Sequence, residues 1–183
     1  MIFRETKLAG VFIIEAEPVA DERGAFARTF CAREFAAHGL ETAIAQCSAS
    51  FNKRKGTLRG LHYQAPPHNE AKLVRVTAGA IYDVAVDLRQ GSKTYGQWVG
   101  AELSAENRRM LFIPKGCAHG FQTLRDDSEI FYQIAEFYEP TSARGVRWDD
   151  ADLAIAWPDM DNPTLSDRDR GFSGLRETPP IPV

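Results

Sequence analysis

Cysteine is scarce in this chain of 183 residues: Cys31, Cys47 and Cys117 are scattered, and no C-x-x-C pair occurs. An odd, dispersed set excludes a disulfide framework or a thiolate-rich metal knot, and suits reduced thiols acting as small apolar residues. Long apolar runs are missing too. The longest near the start, residues 8–14, is too short to cross a bilayer. With Arg4, Glu5 and Lys7 before it and Glu15 after it, the run lacks the layout of a secretory leader. A basic excess is also absent: 22 Lys and Arg stand against 25 Asp and Glu, a net charge of −3. That balance argues against a general nucleic-acid binder, while leaving room for a local arginine cluster facing a phosphate. These absences indicate a cytoplasmic protein with neither nucleic acid nor membrane among its partners.

Helical periodicity is the remaining shortage, and strands fill the space. Length and an ordinary globular composition indicate one domain, residues 1–183, able to bury a full core. Short extended runs separated by Gly, Pro and Asp turns are expected at 10–15, 24–30, 56–64, 73–76, 81–88, 97–103, 109–113, 120–124 and 129–137. One short helix is expected from Cys31 to His38, ended by Gly39 at C′. From about residue 140 the chain turns rich in Asp, Pro and Trp and reads as an extension wrapped on the same domain. Many short strands indicate an all-β sandwich or barrel.

Two motifs carry the chemistry. In Gly56-Thr57-Leu58-Arg59-Gly60-Leu61-His62-Tyr63-Gln64, a strand brings an arginine and a histidine close together. Their odd separation puts them on opposite faces of a regular strand, so sharing one pocket requires a bulge, and Gly60 is the place for it. Pro114-Lys115-Gly116-Cys117-Ala118-His119-Gly120-Phe121 then leads a second histidine into a strand. The two stretches together resemble the half-motifs of cupins. Gln64 stands where a metal-binding cupin has a second histidine, leaving His62 and His119 as the nitrogen ligands, too few for a stable transition-metal site. No metal and no cofactor is expected.

Further stretches follow in order: Asp21-Glu22-Arg23-Gly24-Ala25-Phe26, residues 56–67, 72–89, 103–107 and 113–124, Trp148-Asp149-Asp150, Trp157-Pro158 and Leu165-Ser166-x-Arg168-Asp169. In joint order and spacing they resemble the dTDP-4-dehydrorhamnose 3,5-epimerase family over nearly the whole chain. The resemblance implies a metal-free cupin double-stranded β-helix (jelly roll) with short peripheral helices, a homodimer, and a nucleoside-diphospho-4-keto-6-deoxyhexose substrate. It also implies roles for individual residues. His62 matches the base and Asp169 the carboxylate that orients it. Lys72 matches the cation stabilising the enolate, and Tyr132 the acid on the opposite face. Arg23 and Arg59 match diphosphate-holding positions, Phe26 and Tyr138 aromatics enclosing the nucleoside, Gln46 a nucleotide contact and His119 a polar residue near the sugar. Alternation along 130–138 puts Tyr132 and Tyr138 on one strand face.

Two departures fall on the nucleotide side. Arg28 stands where the family's best-known members carry glutamate, and Gln46-Cys47-Ser48 replaces Gln-x-Asn. Reversed charge at residue 28 exchanges an acceptor for donors, which makes Arg28 a substrate-binding candidate and leaves CDP- or GDP-linked sugars open beside dTDP. Inversion at C3, C5 or both stays open, as do a metal-dependent cupin and a non-catalytic sugar-nucleotide binding module.

Overall fold

A computed structural model describes all 183 residues. Its elements, in chain order, are β1 (Ile2–Glu5), β2 (Phe12–Glu15), β3 (Val19–Asp21), β4 (Gly24–Phe26), α1 (Ala32–Ala37), β5 (Gln46–Asn52), β6 (Leu58–Gln64), β7 (Lys72–Ala78) and β8 (Ala80–Asp87). Then come β9 (Trp98–Ser104), β10 (Arg109–Ile113), β11 (Cys117–Thr123), β12 (Ser128–Ile134), β13 (Ala143–Gly145), α2 (Asp167–Arg170) and a 3-10 turn at Leu175–Glu177. A six-stranded sheet in the order β1-β2-β10-β7-β12-β5 faces a five-stranded one in the order β13-β6-β11-β8-β9, while β3 and β4 pair only with each other. All named pairings are antiparallel. This is the cupin jelly roll expected from the motifs.

Three apolar clusters hold it. Between the sheets lie Val74, Val76, Ile81, Ala85, Leu111, Phe121 and Ile130 with their neighbours. Behind the five-stranded sheet, Val84, Val86 and Leu88 pack against Val146, Leu153, Ile155, Trp157, Leu175 and Ile181 from the C-terminal segment. Behind the six-stranded sheet, Phe35 of α1 joins Phe12, Leu73, Met110 and Phe112. β8 is therefore apolar on both sides. Its Val84 and Val86 face the C-terminal segment, whereas Asp83 and Ala85 alternate onto the inner side.

The strand expected over 24–30 ends at Phe26. Past it, Phe30 tucks against Phe35 with ring centroids 4.8 Å apart, and Arg28 pairs with Glu34, so the chain turns into α1 rather than continuing extended. The strand expected to reach residue 137 stops at Ile134. β5 had only a weak apolar signal in Cys47, Ala49 and Phe51; it is an edge strand whose Gln46, Ser48 and Ser50 line a cavity. No helix is long and apolar enough to cross a membrane.

Candidate active site

Gly60 decides how β6 presents its side chains. It has φ +139°, and the β6–β11 register shifts opposite it, between His119 and Phe121. With one residue taken up by this bulge, Leu58, Leu61 and Tyr63 all face the outer core, and Arg59, His62 and Gln64 all line a cavity inside. The expected bulge is present. A Cβ on Gly60 would sit 2.6 Å from Gly120 Cα and 3.2 Å from His119 O, so the two strands touch where a side chain has no room.

The cavity holds about 340 Å³, a size suited to a small-molecule ligand. Two imidazoles face it from neighbouring strands, since His62 and His119 are directly paired in register. Each is backed by a carboxylate. His62 Nε2 lies 2.8 Å from Asp169 Oδ1, and His119 Nε2 lies 2.7 Å from Asp83 Oδ1. An ionised carboxylate can only accept, so His62 donates through Nε2, and the neutral form of the ring then carries its lone pair on Nδ1. Asp169 is brought by α2, where the Ser166 hydroxyl caps the helix by accepting from the Asp169 amide at 3.1 Å. Its other oxygen accepts from the Gly60 amide at 3.2 Å. Burial pushes the Asp169 carboxyl up, but the bond and charge of His62, with Gly60 and Ser166, outweigh it and hold the group below the usual carboxylate range.

Tyr132 lines the cavity from β12 on the opposing sheet, its ring edge-on to His119 with centroids 6.0 Å apart. Burial pushes its phenol well above the ordinary value, and the Asp83 carboxylate adds to the rise against the opposing charge of Arg59. Lys72, the first residue of β7, reaches in beside them and lies 2.8 Å from Glu70. Arg59 donates Nε to Asn52 Oδ1 at 2.8 Å, which leaves the outer nitrogens of its fork for a ligand. No group of three or more His, Cys, Asp or Glu side chains is arranged to hold a metal ion.

Tyr138 reaches the cavity from a loop, not from the strand face that alternation indicated. Two glutamines hold that loop. Gln64 donates to Phe137 O at 3.1 Å and accepts from the Glu139 amide at 2.7 Å, while Gln46 Oε1 accepts from the Tyr138 amide. Gln46 thus lines the cavity and also fixes Tyr138. Gln64, notable in the sequence as the missing metal ligand, has a structural use of its own.

Three expected residues are not brought to this cavity by their own chain. Arg23 and Phe26 sit on the β3–β4 hairpin, which stands off both sheets; the Arg23 side chain is 85% exposed and closed onto Asp21, and Phe26 is 80% exposed. Arg28 is held at the surface by Glu34 at 2.9 Å and does not line the cavity of its own chain. Ser48, the other departure, does line it. Sequence reasoning passed over Asp83, Glu70, Arg144 and Arg168. Asp83 carried a legible signal, a carboxylate inside the apolar run Ile81–Leu88. Arg168 falls within the Leu165-Ser166-x-Arg168-Asp169 stretch that carries the resemblance, whereas nothing in sequence separates Arg144 from a solvated surface arginine.

Residues 5–177 match the model of a protein family described as dTDP-4-dehydrorhamnose 3,5-epimerase. The chain is 48% identical over 179 residues to the dTDP-4-dehydrorhamnose 3,5-epimerase of Methanothermobacter thermautotrophicus, covering 97% of this chain and 96% of that protein. It is similar to the crystal structure of dTDP-6-deoxy-D-glucose-3,5-epimerase from Legionella pneumophila in complex with dTDP-4-keto-L-rhamnose. There the TM-score is 0.93 at 39% identity, over 99% of this chain and 97% of the other. Likeness to the dTDP-4-dehydrorhamnose 3,5-epimerase of Elizabethkingia anophelis gives a TM-score of 0.94 at 37% identity, over 97% of each chain.

Proposed function

The chain belongs to the dTDP-4-dehydrorhamnose 3,5-epimerase family, and from that premise we propose how its cavity performs the reaction on dTDP-4-dehydro-6-deoxyglucose. The enzyme is an isomerase. A C–H beside the C4 ketone is a weak acid, so its removal needs a placed base and a stabiliser for the oxygen that gains charge. His62 Nδ1 takes that proton. The C–H electron pair moves into the ring bond and the carbonyl π pair onto oxygen, giving an enolate. Lys72 stabilises the oxygen with its ammonium, and Asp169 stabilises the imidazolium. Tyr132 returns a proton to the opposite face of the carbon, which inverts the centre. C3 and C5 both flank the ketone, and the same pair of residues serves each in turn once the imidazolium has released its proton to solvent and the phenolate has taken one up.

One observation carries this reading: the His62–Asp169 pair and the protonated Tyr132 line the same cavity from opposing sheets, with Lys72 on its wall. Arg59 holds the diphosphate through its free fork, and Tyr138 stacks on the nucleobase with Gln46 beside it. His119 contacts the sugar. Arg23 and Phe26, turned outward on their hairpin, reach the nucleotide end of a second copy's cavity in a homodimer, each chain completing the other's site. Three free cysteines suit a reducing compartment, and we place the enzyme in the cytoplasm.

Incubation with dTDP-4-dehydro-6-deoxyglucose in deuterated water tests the reading. The wild type places deuterium at both C3 and C5, and His62→Ala slows both exchanges by about 10² to 10⁴. No exchange at either carbon in the wild type overturns it.

A further inference from the structure

Four cations line the cavity, Arg59, Lys72, Arg144 and Arg168, against a single lining carboxylate, Glu70. That carboxylate is not shared among them. Glu70 Oε1 lies 2.8 Å from Lys72 Nζ, and the two side chains are only 10% and 11% exposed. No other ion pair involves either residue. Ala71 between them is buried in the opposite direction, in the apolar cluster behind the six-stranded sheet, while residues 70 and 72 both line the cavity.

A carboxylate lining a cavity that receives a diphosphate works against binding unless it has a second use. Lysine supplies that use. Its ammonium is a point charge on a flexible four-carbon stem, and unlike a guanidinium fork it has no geometry of its own to hold it in place. β7 pairing fixes the Lys72 backbone between Ile113 and Ile134, but not the end of its side chain. With substrate bound, the strongest nearby field is that of the diphosphate, and an unanchored ammonium is drawn towards it. The three arginines carry no such local carboxylate and remain as the net positive charge for the phosphates.

We propose that Glu70 is a positioning residue for the epimerisation, one that ties the Lys72 ammonium to the reacting sugar and keeps it out of the diphosphate subsite. The inference rests on the enolate-stabilising use of Lys72 set out above. What it requires of residue 70 is an oxygen acceptor at that point, so glutamine is a functional replacement and alanine is not.

Steady-state kinetics of the full chain, with deuterium exchange at C3 and C5, test this in Glu70→Ala, Glu70→Gln, Lys72→Met and the Glu70→Ala/Lys72→Met double variant. Glu70→Ala lowers kcat about tenfold with KM unchanged or lower, and in the Lys72→Met background it brings no further loss, the non-additivity of residues that act as one unit. Glu70→Gln recovers most of the lost rate. A merely structural lesion would lower both backgrounds by the same factor, and that result overturns the proposal. So does a rise in KM at constant kcat, which would make Glu70 a substrate contact. Glu70→Leu, which fills the space, replaces Glu70→Ala if the smaller side chain does not fold. Failure of the epimerase reading is separately visible, as a wild type that exchanges neither carbon.

Discussion

The Gly60 amide donates to Asp169 Oδ2 across 3.2 Å, although 109 residues separate the two in the chain. The same bulge that turns Arg59 and His62 to one side therefore also frees an N–H to hold the carboxylate behind His62. One irregularity in β6 performs both tasks, and that coupling makes the site sensitive at positions that touch no substrate.

Asp169→Asn keeps the shape but removes the charge and presents His62 with an amide in place of a carboxylate. The imidazole then loses the partner that sets its tautomer, and exchange at C3 and C5 falls by about 10² to 10⁴. Because the folded carboxyl titrates below its ordinary value of 3.8, the pair contributes stability above that pH and loses it as pH falls through the folded value. Melting temperatures of wild type and Asp169→Asn should therefore converge below pH 3.8. A variant within tenfold of wild-type exchange would remove the orienting role.

Tyr132 gives a signature at the other end of the scale. Its phenol is raised above the ordinary 10.0, so it stays protonated, as an acid must, through the range where exposed phenols ionise. Tyr132→Phe loses most of the exchange, yet phenolate absorbance around pH 10 matches wild type. Since the folded value is raised, the contribution of Tyr132 to stability is intact below 10.0 and lost as pH climbs through the folded value. Wild type consequently melts more steeply with rising alkalinity than the variant. An ionisation step near pH 10 that vanishes in Tyr132→Phe would contradict this.

Gly60→Ala places a methyl 2.6 Å from Gly120 Cα at a positive φ. Overpacking of this kind costs about 1 to 3 kcal/mol, or several degrees in melting temperature for a chain of this size. Activity falls further than stability, because the strand regains its place only by moving Arg59, His62 or the amide on Asp169. Differential scanning calorimetry with parallel exchange assays separates the two losses, and full activity in a folded Gly60→Ala would show the bulge to be dispensable.

Mixed dimers test the hairpin. His62→Ala and Arg23→Ala chains are each poorly active alone. Exchanged into one population, half the dimers are mixed and one of their two sites is free of both lesions, so about one site in four recovers full function. No recovery on mixing, with subunit exchange verified, shows that Arg23 does not serve its neighbour.

Much of this is legible in the sequence. The strand pattern followed from alternation, and the Arg59–His62 parity conflict located a bulge at Gly60. β5 was hidden because Cys47 and Ala49 alternate only weakly with its polar residues, and Phe51 is its one large apolar side chain. Tyr138 lines the cavity by a route that alternation does not show: β12 ends at Ile134, and two glutamine side chains, not a shared strand face, bring the ring there.

By itself the sequence determined the kinds of group available and their local setting: an imidazole after a glycine, a second one after a turn, a lysine opening a strand. Only the tertiary structure decided which of these meet. It set Asp169 on His62 and Asp83 on His119, gave Glu70 to Lys72, and turned Arg23 and Phe26 away from their own cavity. The reason is range. Backbone alternation and turn chemistry act over a few residues and can be read along the chain. Side chains 36 or 107 residues apart come together only through sheet packing and the docking of the C-terminal segment.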